Sequence, residues 1–201
     1  DDDIDYFRAT NIFGEEFLEY LANFKFSGDI YSFPEGSIMY PNEPVITVIA
    51  PLLDAQLIET ALLLQVNHQS LIATKTRRIV EAARGREVSD FGARRAHNMD
   101  AAVYGARAAY IGGAVGTATV MAGKLFDIPV SGTMAHSWIM FYKDEFTAFK
   151  QYAMNYPDST VLLVDTYDTL KSGIPHAIQV FKEMREKGIK SKRYGIRLDS
   201  G

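Results

Sequence analysis

The sequence predicts an α/β fold whose second part is a parallel sheet with helices between its strands. From residue 87 onward, five short apolar segments alternate with four helical ones, which is typical of βαβ units. Strand bodies such as VLLV (161–164) are apolar throughout, as in strands buried on both faces. Residues 1–86 lack this rhythm. We therefore predict an N-terminal α/β domain over 1–86 and five βα units over 87–201.

The first part is predicted to contain two helices and a ribbon. Apolar residues at helical spacing predict a helix over 15–26. Short β-rich runs separated by glycines and prolines predict an antiparallel ribbon over 27–51. A stretch with almost no helix breaker predicts a long, mostly buried helix over 52–84.

The second part contains the alternating segments. Both a doubly wound sheet and a barrel fit this order, and in both folds ligands bind at the carboxyl ends of the strands. The strand candidates are EVSDFG, YIGGAVG, IPVSGTMA, TVLLVDTYD and KRYGIRLDSG, and the helix candidates between them cover 97–110, 118–126, 142–155 and 170–187.

The composition excludes several classes of protein. The net charge of -4 argues against non-specific binding to nucleic acid or to an anionic membrane. The absence of cysteine excludes disulfides and thiolate metal sites and favours the cytoplasm as the location. No apolar run approaches the ~18 residues that a membrane helix needs. Because the chain opens at Asp1 and closes inside a strand pattern, we expect a fragment of a longer protein.

Polar and ionisable residues follow every predicted strand. In a parallel sheet they would converge on one rim, where a site is expected. After the first strand they are Phe91, Arg94, Arg95 and His97, and after the second Gly116 and Thr117. After the third they are Thr133, His136 and Ser137, after the fourth Asp165, Thr166, Tyr167 and Asp168, and after the fifth Arg197, Asp199 and Ser200.

The chemistry of this set suits an anionic, phosphorylated substrate. Its arginines offer planar forks for carboxylate or phosphate. Asp165 and Asp199 could hold a hard cation such as Mg²⁺ or bind ribose hydroxyls. His136 could act as a base, as a phosphate partner or as a nucleophile.

Each candidate also has a structural interpretation. His136 could be a hydrogen-bonding residue beside a core, Phe91 a core residue, and Trp138 a packing residue. The two adjacent arginines could form a surface pair. The acids could cap turns or helices, as Asp often does: Asp165, Asp168 and Asp199.

Four motifs in order resemble those of the nicotinate phosphoribosyltransferases: DFGARRAH (90–97), GTMAHSW (132–138), LVDTYDT (163–169) and GIRLDSG (195–201). Residues 51–75 also resemble the long helix of that family. The resemblance implies a type II phosphoribosyltransferase fold, with part of an N-terminal α/β domain followed by the first strands of an irregular α/β barrel. It further implies a homodimer and a place in NAD biosynthesis.

The family transfers phosphoribosyl from 5-phosphoribosyl 1-diphosphate to nicotinate, forming nicotinate mononucleotide and diphosphate, and couples this to ATP hydrolysis. By this resemblance, His136 matches the histidine that is phosphorylated from ATP, and Asp165 and Asp199 match acids near the ribose and a substrate-borne Mg²⁺. The substrate-binding residues that the resemblance implies are Phe91, which stacks on the pyridine ring, Arg94, Arg95, Thr117, Thr133 and Arg197.

One position favours nicotinate as the base. The related nicotinamide enzyme carries an aspartate directly after the Gly-Thr of the second strand, where this sequence has Ala118. An acid there would repel the carboxylate of nicotinate. The alternatives are nicotinamide or quinolinate relatives and a non-catalytic nucleotide-binding module. Because parts of the family's site should lie outside 1–201, we expect this chain alone to be inactive.

Overall fold

The computed structural model describes residues 2–200 and separates into two units, Asp1–Pro129 and Val130–Gly201. The two units meet at residues 129 and 130, whereas the sequence predicts a domain boundary between residues 86 and 87. That domain boundary remains a prediction.

The first unit begins with two short helices and the predicted antiparallel ribbon. In the ribbon, Asp29 lies opposite Ile49 and Ser32 opposite Ile46. The elements of this unit are α1 (Asp2–Thr10), α2 (Glu15–Ala22), β1 (Asp29–Ser32), β2 (Ile46–Ile49), α3 (Leu52–Ala82), β3 (Ser89–Asp90), α4 (Met99–Ile111), β4 (Gly116–Thr117) and α5 (Val120–Phe126).

The long helix α3 forms where it was predicted, but the prediction that it is mostly buried is wrong. Its only buried residues are Asp54 and Thr76, while Leu63 and Leu64 are 62% and 67% exposed. The apolar residues of α3 occur on all its faces, and within the first unit α4 is the helix that packs against it. That contact is close, because a Cβ on Gly112 would lie 2.6 Å from the carbonyl oxygen of Ala73.

Strands β3 and β4 are parallel, as predicted, but they are only two residues long. Ser89 pairs with Gly116 and Asp90 with Thr117. A small core of Val103, Ala106, Ala122 and Ile128 lies among α4, α5 and the chain that follows α5. With so few ladder bonds, side chains must help to hold this sheet edge.

The second unit holds the other parallel pair. Leu163 pairs with Arg197 at its carboxyl end. Its elements are α6 (His136–Phe141), α7 (Glu145–Asn155), β5 (Ser159–Leu163), a π-turn (Thr169–Gly173), α8 (Ile174–Glu186) and β6 (Arg193–Arg197).

The strand predicted in IPVSGTMA does not form, and its one bridging residue is Val130. Proline at 129 cannot donate to a ladder, and Gly132 weakens an extended run. The segment 131–135 therefore runs as an irregular loop into α6.

The core of the second unit places α6 and α7 against β5. Phe149 and Ile139 are fully buried, as are the last residues of β5. Trp138 packs as predicted: its ring lies 5.0 Å from that of Tyr142, and its Nε1 donates to the carbonyl oxygen of Ala148 at 3.2 Å.

The helix predicted over 170–187 begins as the π-turn. Asp168 caps this turn by accepting from the backbone N–H of Leu170 and Lys171 at 3.1 and 2.9 Å. A Cβ on Gly173 would lie 1.9 Å from the carbonyl oxygen of Val164. Only glycine therefore lets the turn approach the end of β5 so closely.

None of the helices among residues 2–200 combines the length and the apolar character that crossing a bilayer requires.

Candidate active site

Five of the nine predicted site residues lie in the second unit, at the carboxyl ends of β5 and β6 and in the loop before α6. Because the two strands are parallel and in register, the residues after Leu163 and those from Arg197 onward meet at one edge. Leu162, Leu163 and Val164 are fully buried, and the chain beyond them carries polar side chains together with the exposed Leu198.

Arg197 connects the two sides of this edge. Its Nη1 donates to the hydroxyl of Thr133 at 2.7 Å, and its Nη2 forms an ion pair with Asp199. A hydrogen-bonded guanidinium is held in one orientation, which suits it to bind a planar carboxylate.

His136 is the first residue of α6, and its side chain is 31% exposed. Its Nδ1 lies 3.0 Å from the hydroxyl oxygen of Thr166, and its Nε2 lies 3.3 Å from Oδ2 of Asp199. These two contacts orient the ring, so this histidine is part of the polar edge and not of the apolar core.

Asp165 holds the chain that follows β6. Its Oδ2 accepts from the backbone N–H groups of Asp199 and Ser200, both at 2.6 Å, and from the Ser200 hydroxyl at 3.0 Å. Burial acts to raise the pKa of Asp165, but these hydrogen bonds together outweigh it and leave the pKa below its usual value.

The acids of this edge do not fit a resident metal ion. Three donors already occupy Oδ2 of Asp165, and Asp199 is engaged by Arg197 and His136. Oδ1 of Asp165 is buried without a hydrogen-bond partner and is the one remaining carboxylate oxygen of that residue. Within residues 2–200, no three His, Asp or Glu side chains form a group that could bind a metal.

The other four predicted residues lie in the first unit, around β3 and β4. Thr117 is fully buried, and its hydroxyl donates to Oδ2 of Asp90 at 2.8 Å while accepting from the N–H of Thr119 at 2.9 Å. The hydroxyl of Thr117 thus has structural partners.

Asp90 also shapes the turn after β3. Its Oδ1 accepts from the N–H of Gly92 at 3.0 Å, and this turn carries Phe91, which is 42% exposed. The short 3₁₀ helix that follows presents Arg94 and Arg95 to solvent, and within the described residues neither guanidinium has a hydrogen-bond or ion-pair partner. An exposed ring beside two uncompensated positive charges suits a flat, anionic ligand.

Sequence reasoning missed two residues that the structure places in or beside these groups. Asp90 lies within a motif already singled out, and its position at a strand end could have indicated it. Thr166 was named among the residues that follow the fourth strand but was given no role. Glu145 could not be found this way. It is buried at the start of α7, accepts from Ser172, and lies 2.9 Å from Nδ1 of His176.

The contacts of His176 tie the start of α8 to the start of α7. His176 is the third residue of α8. The cluster with Glu145 therefore fixes the two helices that flank the polar edge of the second unit.

Comparison with known proteins shows which family the chain resembles. The family model of the nicotinate phosphoribosyltransferase N-terminal domain matches residues 1–67, and the model of the nicotinate phosphoribosyltransferase family matches residues 86–201. The chain is 54% identical to the nicotinate phosphoribosyltransferase of Bacillus subtilis, covering 100% of this chain and 40% of the relative. It is 47% identical to nicotinate phosphoribosyltransferase pncB2 of Mycobacterium tuberculosis, covering 99% and 42%. The chain thus spans about two fifths of these relatives.

Solved structures with similar folds include two that are, by their names, enzymes of pyridine-nucleotide metabolism. The crystal structure of human nicotinic acid phosphoribosyltransferase matches with a TM-score of 0.89 at 28% identity, over 100% of this chain and 50% of that one. The crystal structure of nicotinate-nucleotide pyrophosphorylase from Pyrococcus furiosus matches with a TM-score of 0.73 at 31% identity, over 87% and 43%. The predicted α/β class with its parallel strands is confirmed, and the chain belongs to the nicotinate phosphoribosyltransferase family.

Proposed function

We propose that the protein containing this chain transfers the phosphoribosyl group of 5-phosphoribosyl 1-diphosphate to nicotinate, forming nicotinate mononucleotide and diphosphate in NAD salvage. The observation that carries the proposal is the polar edge of the second unit. There Thr133, His136, Arg197 and Asp199 form a connected set in a chain of this family. The predicted homodimer, cytoplasmic location and division at residue 86 belong to the same proposal.

The side chains divide the task by their chemistry. Arg197, oriented by Thr133, binds the carboxylate of nicotinate through its guanidinium. Phe91 stacks on the pyridine ring, while Arg94 and Arg95 attract the phosphates of the second substrate. Asp199 stabilises the positive charge that develops on the ribose as diphosphate leaves.

In this proposal a ring nitrogen of His136 forms a bond to the γ-phosphorus of ATP as the bond to the bridging oxygen breaks and ADP leaves. A phosphohistidine adds about two negative charges and three acceptor oxygens, enough to rearrange nearby loops. The edge that holds His136 also holds Arg197, so the new charge would alter the field at the base-binding residue. Mg²⁺ would enter the site bound to the diphosphate of the substrate, without ligands from the protein.

The test is product formation by the full-length protein with 5-phosphoribosyl 1-diphosphate and Mg²⁺, offered nicotinate or nicotinamide, with and without ATP. Mass spectrometry identifies the mononucleotide. The proposal predicts product from nicotinate, stimulation by ATP, and loss of that stimulation in His136→Ala. His68→Gln serves as the matched control, since glutamine can keep the contact that His68 makes with the carbonyl oxygen of Ala101.

The other outcomes identify the alternatives. Product from nicotinamide alone would contradict the assignment of the base. No product from either base, with binding of nucleotide retained, would indicate a non-catalytic module on the same fold.

A further inference from the structure

His136 has a partner on each ring nitrogen, and the two partners differ in chemistry. Nε2 faces a carboxylate oxygen of Asp199 at 3.3 Å, and Nδ1 faces the hydroxyl of Thr166 at 3.0 Å. An ionised carboxylate can only accept, whereas a hydroxyl can donate or accept. The carboxylate therefore decides where the proton of a neutral ring lies.

A proton on Nε2 is attracted by Asp199, and a lone pair there would be repelled. In a neutral imidazole the other nitrogen then carries the lone pair. That nitrogen is Nδ1, and the Thr166 hydroxyl can donate to it. Both contacts favour the same tautomer, so neither partner works against the other.

We propose that Thr166 is a positioning residue for His136, which it holds in one ring orientation and one tautomer, with the Nε2–H toward Asp199 and the Nδ1 lone pair toward the Thr166 hydroxyl. The inference deepens the proposed function and rests on it only for its consequence in turnover. The tautomer itself is a property of the folded protein.

The backbone around Thr166 makes it suited to this task. The residue directly follows Asp165, whose carboxylate holds Asp199 in place. It precedes the turn that Asp168 caps and that Gly173 packs against the end of β5. The Thr166 hydroxyl is thus carried by a segment fixed at several points, and both partners of His136 depend on that segment.

The first measurement is spectroscopic and needs no substrate. NMR spectra of the full-length protein with ¹⁵N-labelled histidine show whether each ring nitrogen of His136 is protonated. The resonances of His136 are identified as those that disappear in His136→Ala. We expect a protonated Nε2 and an unprotonated, hydrogen-bonded Nδ1. A protonated Nδ1 in the neutral ring would overturn the proposal.

The second measurement compares variants. Thr166→Val removes the hydroxyl while keeping the branched shape, and Thr166→Ser restores it. Tyr167→Phe is the matched control, because it removes a neighbouring exposed hydroxyl that makes no hydrogen bond within the described residues. We expect Thr166→Val alone to shift the Nδ1 resonance and to lower ATP-stimulated kcat roughly 3- to 10-fold, the scale of one hydrogen bond.

The outcomes separate this inference from the proposed function. Unchanged Nδ1 resonance and kcat in Thr166→Val would overturn it, and so would a serine variant that folds but fails to restore them. If Thr166→Val is unstable, Thr166→Ser still shows whether the hydroxyl is what matters. If the protein shows the expected resonances but no transferase activity, the proposed function is contradicted, while the proposal that Thr166 positions His136 still holds.

Discussion

Arg197 and Thr133 are joined by a hydrogen bond of 2.7 Å between Nη1 and the hydroxyl oxygen, which links the last residue of β6 to the loop before α6. The bond holds one branch of the guanidinium, and the ion pair with Asp199 holds the other. A lysine at this position would keep the charge and lose the fork.

For this reason we expect Arg197→Lys to raise KM for nicotinate about 10-fold or more, as a charge-assisted hydrogen bond contributes ~1.5–3 kcal/mol. Steady-state kinetics of the full-length protein measure it. Arg193→Lys, an exposed arginine at the other end of β6, is the control. An unchanged KM in Arg197→Lys would remove this residue from the base-binding site.

Ala118 is exposed at the end of β4, and its N–H donates to the carbonyl oxygen of Asp90 at 2.9 Å. Its backbone is therefore fixed and its side chain is free to be changed. We expect Ala118→Asp to lower kcat/KM for nicotinate at least 10-fold, because a negative charge at this position would repel the carboxylate of nicotinate. Ala118→Asn is the uncharged control. Equal loss in both variants would mean that size and not charge is responsible.

Asp90 gives one oxygen to the turn that carries Phe91 and the other to the buried hydroxyl of Thr117. Replacing it by alanine leaves the buried hydroxyl of Thr117 without its acceptor, which costs about 1–3 kcal/mol, and also removes the acceptor of the half-buried Gly92 N–H. Denaturant unfolding should therefore show a clear loss of stability in Asp90→Ala. Asp90→Asn keeps one acceptor and should lose less. The same stability in Asp90→Ala and wild type would show that the two-residue strands hold this edge without Asp90.

Gly173 lies where a Cβ would overlap the carbonyl oxygen of Val164. Since that obstacle is backbone, we expect Gly173→Ala to destabilise the protein by ~1–3 kcal/mol or more. Gly105→Ala is the matched control within a helix, where the nearest atom would be 3.7 Å away. It should be neutral or slightly stabilising. Thermal unfolding of both variants measures this difference. Equal losses of stability in the two variants would contradict the close approach of Gly173 to Val164.

Asp54 accepts hydrogen bonds from the hydroxyl of Tyr20 and from the N–H and hydroxyl of Ser27, the latter two at 3.0 and 2.9 Å. The pKa of Asp54 is lowered, and the hydrogen bond from Tyr20 is the largest cause of this shift. Together with the hydrogen bonds from Ser27, it outweighs the effect of burial, which raises the pKa. Because the pKa of Asp54 is lower in the folded state, this group stabilises the protein at pH values above its unfolded-state pKa of about 3.9. The contribution is lost as the pH falls through the folded-state pKa.

The difference in unfolding free energy between wild type and Asp54→Asn should accordingly be largest near neutral pH and shrink below about pH 4. Denaturant unfolding across pH measures it. Tyr20→Phe, which removes one of the three donors, should give a smaller pH-dependent difference. A difference that is constant with pH would mean that Asp54 contributes by shape alone.

The sequence predicted most helices, the parallel pairing and the residues at the strand ends, because apolar periodicity and strand-to-helix alternation are local signals. It failed where tertiary contacts decide. The burial of Leu63 and Leu64 depends on what packs on α3, and IPVSGTMA loses its strand to Pro129 and Gly132. Motif reasoning found His136 but could not distinguish Asp165, which holds a turn through three hydrogen bonds, from an acid that faces a ligand.

Trp138 is the only tryptophan in the sequence, and it lies two residues after His136 on α6. Its indole packs against Tyr142 and donates to the carbonyl oxygen of Ala148 on α7. The tryptophan fluorescence of residues 1–201 therefore originates within one helical turn of the histidine. Any repacking of α6 that follows modification of His136 should change the emission directly, so events at that residue could be followed in real time without a label.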